Sequence, residues 1–495
     1  MNYKCPLYIN GQFIETAEKQ NIINPSSGKV IAEASLASDK DVEEAVSGAR
    51  QAFDNGPWPQ FSLPERKEFI MRIARGILDN AGRLAEMETQ NSGKPIKETT
   101  FMDIPSGARS FEFMAQHLMD YLEGRQIEVN PEARAGLSRE PAGVVALIIP
   151  WNYPFLIACW KLASALAAGN TVVLKPSSLT PLTALELVRI IHESGIPGGV
   201  VNFINGAGAR IGQLLCEDKR LDMISFTGSN ETGRQILQYS SRNIKKMIME
   251  LGGKSASLVF ADCDLETAVN SSLTSIFLNQ GQMCTAMSRI FVQEEIYGAF
   301  VSDFVQKAKR IKLGLAENHE TQMGPLISDA QRKKVIAYVD KAKTEGANLV
   351  CGGRIPENPE LKNGYFFEPT VLVDIGTHSH IFREEVFGPV VLIHKFSGSD
   401  EAVSLANSSD FGLASCVWSK DVSLAQEVAS RINAGTVWIN TYGMFYDELP
   451  YGGFKQSGFG KELGREGFLE YTRLKSVITD HSEQGKPLVN YWYGF

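Results

Sequence analysis

The chain has 495 residues, 43% hydrophobic and 21% charged, with 44 glycines and a formal net charge of −8. That balance excludes a mostly disordered or collagen-like chain, and the length predicts about three domains, or two large ones with appendages. A generally acidic surface argues against nucleic acid as the main partner. The opening Met1-Asn2-Tyr3-Lys4-Cys5-Pro6 has no long apolar core after its single lysine, so no secretory leader is expected. The longest apolar stretch, 143–151, is far short of the roughly 18 residues that span a bilayer, so no membrane is expected as a partner.

In chain order, the β-branched run 170–175 reads as a buried strand. Thr180 and Pro181 then fit a helix cap followed by proline at the first helical position, opening a helix over 182–193 that Gly195 stops. A strand is predicted at 200–204, a helix at 206–215, a strand at 221–226 and a helix from about Glu231. Strands separated by helices of this length predict a parallel sheet of nucleotide-binding layout, although layout alone does not prove a ligand. The alternation restarts after Glu250, with strands at 255–260, 290–293 and 436–440 and helices at 265–278, 296–313, 329–345 and 423–432. A second α/β unit is therefore expected in the C-terminal half, with 352–364 as a surface loop and no internal repeat.

Seven cysteines, at 5, 159, 216, 263, 284, 351 and 416, are odd in number and contain no CxxC pair. Reduced thiols in a cytoplasmic protein fit this pattern better than a disulfide framework or a zinc ribbon. Among seven histidines the one close pair, His378 and His380, is expected in a polar loop rather than on a metal.

Four segments carry candidate chemistry. Gly281-Gln282-Met283-Cys284-Thr285 sets a cysteine after a glycine turn, either a buried inert thiol or a nucleophile. Glu250-Leu251-Gly252-Gly253-Lys254 puts a carboxylate before two glycines, either an exposed loop acid or a base. Pro150-Trp151-Asn152-Tyr153-Pro154 places an amide among aromatics and prolines, either a structural turn or a site. Phe226-Thr-Gly228-Ser229-Asn-Glu-Thr-Gly233 is a strand–turn–helix junction able to hold a pyrophosphate, but it is not GxGxxG.

Together the four resemble the aldehyde dehydrogenase superfamily, nearest its betaine-aldehyde and aminoaldehyde branch. Three further segments follow in the family's order: Lys175-Pro-Ser177, Glu384-Glu385-Val-Phe387-Gly-Pro389 and Pro450-Tyr451-Gly-Gly-Phe-Lys-Gln-Ser-Gly458. The resemblance implies an α/β fold with a Rossmann-type parallel-sheet cofactor domain (1–123, 137–250 and 446–469) and an α/β catalytic domain (251–445). It also implies a small β arm (124–136 and 470–495) that builds a homodimer or a homotetramer.

The same resemblance gives Cys284 the nucleophile's role, forming a thiohemiacetal and then a thioester. It gives Asn152 and the Cys284 N–H the oxyanion, Glu250 the activation of water, and Glu462 the outward relay of a proton. A surface salt bridge is the plainer reading of Glu462. Relatives that pass the acyl group to coenzyme A generally lack the base at Glu250, so the expected product is a free carboxylate.

The expected cofactor is NAD or NADP. Its pyrophosphate is assigned to Thr227, Gly228, Ser229, Thr232 and Gly233, its adenine to Gly208 and Gly212, and its ribose to Lys175, Ser177 and Ser178. Glu385 and Phe387 are assigned to the nicotinamide ribose, and Ile148, Pro150, Trp151, Phe226 and Leu251 complete the cofactor set. Many NAD-linked relatives carry a glutamate where this chain has Ser178, and serine removes its like-charge repulsion of a 2′-phosphate. For substrate, Tyr153, Trp160 and Tyr451 match an aromatic box suited to a quaternary or primary ammonium, with Asp103, Asp447 and Glu448 expected to add negative charge at the tunnel mouth. Leu278 stands where several betaine-aldehyde enzymes carry another tryptophan, so aliphatic, aromatic and semialdehyde substrates remain open. So does a non-catalytic protein reusing the fold.

Overall fold

The short β-branched runs of the first half pair as parallel strands. The computed structural model describes residues 3–130 and 133–482; the parts of the expected cofactor domain at 1–2 and of the expected arm at 131–132 and 483–495 lie outside them. Five strands, β1 (Val144–Ile148), β2 (Thr171–Lys175), β3 (Val201–Phe203), β4 (Met223–Thr227) and β5 (Lys246–Glu250), are parallel neighbours in the order β3-β2-β1-β4-β5. Strands β1 and β2 are buried at every position, which is why β1 is apolar throughout and β2 apolar between Thr171 and Lys175, with no alternation. Antiparallel edges close the sheet, with Leu7–Ile9 and Gln12–Ile14 beyond β3 and Gly458–Phe459 beyond β5. Connection order reverses between β1 and β4, the position where open α/β sheets leave a crevice at their carboxyl ends.

Helices fill the crossovers: α1 (Pro154–Ala167), α2 (Leu182–Glu193), α3 (Gly208–Glu217) and α4 (Asn230–Ser240). The expected start of α2 is corrected. Pro181 itself occupies the cap position, and Thr180 is buried with its hydroxyl unpartnered. Proline offers no side-chain acceptor, so the Leu182 N–H donates instead to Asn91 Oδ1 at 3.2 Å, from a neighbouring helix.

The second sheet comprises β6 (Ala256–Val259), β7 (Arg289–Gln293), β8 (Thr370–Val373), β9 (Val390–Phe396), β10 (Ala414–Trp418) and β11 (Thr436–Ile439). They lie parallel in the order β8-β9-β7-β6-β10-β11, with Asn348–Cys351 antiparallel on the β8 edge. The chain passes from one sheet to the other through 251–255, directly after Glu250. A separate antiparallel sheet joins Arg125–Asn130, Ala133–Pro141 and Thr472–Asp480, and leaves Leu474, Val477 and Ile478 exposed. No helix among the described residues is long and apolar enough to cross a membrane.

Candidate active site

The carboxyl ends of the central strands come into register beside a cavity of about 420 Å³. Phe226 pairs with Ile148, Ile148 with Lys175, and Thr227 with Glu250, so the segments singled out in the sequence leave the sheet along one line. Asn152, Glu250, Cys284, Tyr451 and Glu462 all open onto the cavity although up to 310 residues of sequence separate them.

The loop before Cys284 is held by buried polar groups. Helix α5 (Leu265–Phe277) ends in a turn whose Asn279 and Gln280 take left-handed φ values of 46° and 55°. Asparagine tolerates this conformation better than most residues, and tertiary bonds hold it there. The Asn279 N–H donates to Glu98 Oε2 at 3.1 Å, and its Nδ2 donates to the carbonyls of Asn152 at 2.9 Å and Gln282 at 3.2 Å. Asn152 Nδ2 meets the same Gln282 carbonyl at 3.0 Å, which uses one of its two hydrogens and leaves the second. The paired glycines make room for this loop. A Cβ at Gly253 would collide with the Cys284 carbonyl, and one at Gly252 would lie 2.6 Å from Glu385 Oε2.

Cys284 is only half-buried by its surface, and its sulfur lies 3.2 Å from the Tyr451 hydroxyl oxygen. Burial pushes the thiol up to about 12, against the lowering effect of the Tyr451 hydrogen bond. Glu250 is 4% exposed, and neither carboxylate oxygen makes a hydrogen bond of ordinary geometry. Burial, and next the charge of Glu462, raise its pKa well above the usual carboxylate range, while Lys161 and Lys461 oppose the rise. Glu462 is in an ion pair, but a buried one rather than a surface one. Lys161 Nζ donates to its Oε1 at 2.6 Å, Ser225 Oγ lies 2.9 Å from the same oxygen, and the Tyr471 hydroxyl lies 3.3 Å from Oε2.

The expected aromatics Tyr153, Trp160 and Tyr451 all line the cavity, and a fourth ring stands beside the last two. Trp160 and Tyr451 stand 5.8 Å apart, and Phe445 joins them at 6.1 Å and 5.4 Å. Tyr153, by contrast, already has the Lys94 ammonium 4.2 Å from its ring centroid. Nor do the expected acids present free charge. Asp103 is ion-paired with the buried Lys94. Asp447 accepts from Arg109 Nε at 2.9 Å and from Ser110 Oγ at 2.7 Å, and Glu448 does not line the cavity.

Of the expected cofactor set, Pro150, Trp151, Thr227, Gly228, Ser229, Leu251, Glu385 and Phe387 line the same cavity. Trp151 and Phe387 stand edge to face at 5.2 Å, and Glu385 Oε1 accepts from the Gly253 N–H at 2.8 Å. Burial raises Glu385 to about 7. Ser229 caps α4, accepting from the Thr232 N–H at 3.2 Å. Gly208 and Gly212 lie one turn apart on α3, where an added Cβ would meet nothing within 4 Å, so that helix face is open to a flat ring. Gly233 packs against Leu251, and Ile148 and Phe226 are buried strand ends. Lys175 is 4% exposed and its ammonium donates to the Pro176 carbonyl at 2.9 Å; burial lowers its pKa to about 8. Ser177 and Ser178 are half-buried, and Gln20 Nε2 donates to the Ser178 carbonyl at 3.3 Å.

The aldehyde dehydrogenase family model matches residues 13–477. The chain belongs to the aldehyde dehydrogenase family. It is 44% identical over 490 residues to the betaine aldehyde dehydrogenase of Bacillus subtilis, covering 98% of this chain and 99% of that one. It is 39% identical to the cytosolic 10-formyltetrahydrofolate dehydrogenase of Mus musculus, of which it spans 53%. Among solved structures, a betaine aldehyde dehydrogenase from Staphylococcus aureus in complex with NAD+ superposes with a TM-score of 0.95 at 41% identity, covering 98% of this chain and 96% of that one. PnpE from Pseudomonas sp. WBC-3 superposes equally well at 38% identity, covering 98% and 99%. The expected aldehyde dehydrogenase fold therefore holds for this enzyme.

Sequence reasoning missed the groups that brace the Cys284 loop. Glu98 and Asn279 carry no motif signal, and Gln282 lies inside the cysteine segment without a role assigned to it. The sequence names Asp103 but gives no sign that it joins Glu88 and Lys94 in a buried ion cluster beside Tyr153.

Proposed function

We propose that the enzyme oxidises an aldehyde to a free carboxylate with a nicotinamide cofactor, NAD or NADP, and that Cys284 is its nucleophile. The observation that carries this is one cavity holding the Cys284 sulfur and the hydrogen-bond-poor carboxylate of Glu250, walled by the Glu385–Phe387 and Thr227–Ser229 segments. The Cys284 sulfur adds to the carbonyl carbon to give a thiohemiacetal, because a free aldehyde has no electron pair to expel its hydride. Its oxygen takes the negative charge and accepts from the second Asn152 amide hydrogen and from the Cys284 N–H, donors of a kind each worth about 3–4 kcal/mol.

The residues fit the cofactor. The open face of α3 at Gly208 and Gly212 receives the adenine, the α4 N-terminus at Ser229 the pyrophosphate, and Glu385 with Phe387 the nicotinamide ribose. When bound, the nicotinamide supplies the hydride acceptor that leaves the acyl group on Cys284 as a thioester. Glu250 then takes a proton from water as the water oxygen attacks the thioester carbonyl, and the sulfur departs as thiolate. Glu462, paired with Lys161, passes the proton outward.

For the substrate we propose betaine aldehyde or an aminoaldehyde, supported by the Trp160, Phe445 and Tyr451 rings and by the name of the Bacillus subtilis relative. With Asp103 and Asp447 already paired, the attraction for a cation comes from ring faces, about 0.5–2 kcal/mol. An apolar aldehyde is the second reading, favoured by Leu278 and by Phe101 and Met444, exposed side chains on the same cavity. The exposed apolar side chains of the antiparallel sheet support a homodimer or homotetramer formed through that arm. The test is reduced-cofactor formation with a panel of cationic and apolar aldehydes, run with both NAD and NADP. Wild-type enzyme is expected to turn over and Cys284→Ala to lose all oxidation. Full activity in Cys284→Ala would overturn the mechanism.

A further inference from the structure

Tyr451 enters the site as more than an aromatic wall. Its ring is wedged edge-on between Trp160 and Phe445, and it is 7% exposed. Its backbone is clamped by reciprocal bonds with Glu462: the Tyr451 N–H donates to the Glu462 carbonyl at 2.7 Å, and the Glu462 N–H donates back at 2.8 Å. So held, the phenolic oxygen lies 3.2 Å from Cys284 Sγ. A phenylalanine or a tryptophan would fill the same wall, but neither would place an oxygen there.

We infer that the Tyr451 hydroxyl is a catalytic hydrogen-bond donor to the Cys284 sulfur, favouring the thiolate before attack and receiving it when the thioester is cleaved. This rests on Cys284 being the nucleophile. Direction follows from the chemistry of the pair. A thiolate can only accept, and a hydrogen bond to an ionised partner is about twice as strong as a neutral one. The phenol keeps its proton, because burial first, and then the neighbouring Cys284 and Glu250 charges, raise it well above its ordinary value. The hydroxyl neither gains nor loses a proton in this role. It stabilises charge on sulfur in a cavity where burial works against that charge.

The test is the pH dependence of Cys284 alkylation by iodoacetamide, without aldehyde or cofactor, with the labelled residue located by peptide mass. In Tyr451→Phe the profile is expected to move alkaline by about one pH unit, so that labelling at neutral pH slows roughly tenfold. Tyr451→Leu keeps an apolar side chain there without any donor and is expected to shift alike, which carries the test if the first variant folds poorly. Tyr442, on the same cavity, donates to the Thr285 carbonyl at 3.3 Å, and Tyr442→Phe is expected to leave the profile in place. Unchanged profiles in both Tyr451 variants, with only the aldehyde KM altered, would overturn the inference and leave a wall. Label that avoids Cys284 in the wild type would instead overturn the nucleophile assignment.

Discussion

Glu250 and Glu462 place two carboxylates in one buried corner, and only Glu462 is bonded to neighbouring side chains. Lys161, Ser225 and Tyr471 surround Glu462, while at Glu250 burial and the like charge of Glu462 favour the protonated form over the opposing charges of Lys161 and Lys461. The proposed base acts only when deprotonated, so a turnover limited by deacylation is expected to rise with pH through the raised pKa of Glu250. Glu462→Gln removes the like charge while Lys161 keeps its own. Glu250 then loses its proton at lower pH, and the ascending limb of kcat against pH is expected to move toward acid, with a lower plateau from the lost relay. A limb that stays put or moves alkaline would contradict the coupling. The cysteine, carboxylate and amide on the cavity were named in advance through the family resemblance of seven ordered motifs, while each segment alone left an inert reading open. Their partners were not readable. Asp447 looks like free charge in the sequence until Arg109, 338 positions away, is seen bonded to it.

Elements were legible where local pattern decides them and illegible where distant contacts do. Thr171–Lys175 and Leu182–Glu193 follow from apolar runs and helical spacing. The cap of Leu182 does not, since Asn91 supplies it from another helix. Nor does the π-helical turn Thr99–Asp103, which sets Asp103 against Lys94 as Glu88 also reaches it. This cluster is fully buried, and from it Glu98 holds the Asn279 N–H at the Cys284 loop. Removing the cation would leave carboxylates buried without compensation, a defect of about 3–5 kcal/mol. Lys94→Met is therefore expected to lower the urea midpoint of unfolding substantially and to reduce kcat. A midpoint equal to that of the wild type would mean that the cluster adds nothing to stability.

Across the whole molecule, two parallel sheets meet where the chain leaves β5, so the step from Glu250 to Gly253 brings the proposed base and the proposed nucleophile loop together. The parallel sheets were legible because buried strands alternate with helices of matching length; the antiparallel edges that close them were not, because Leu7–Ile9 and Gly458–Phe459 are short and join from opposite ends of the chain. The central claim is that Cys284 carries the acyl group and that Glu250 acts afterwards, on water. Rapid mixing of Glu250→Gln with aldehyde and cofactor tests it most directly. The expected result is a burst of reduced cofactor near one per active site, then a slow steady state, with an acyl adduct on Cys284 in the intact mass. Loss of the burst together with the steady state, and no adduct, would contradict it.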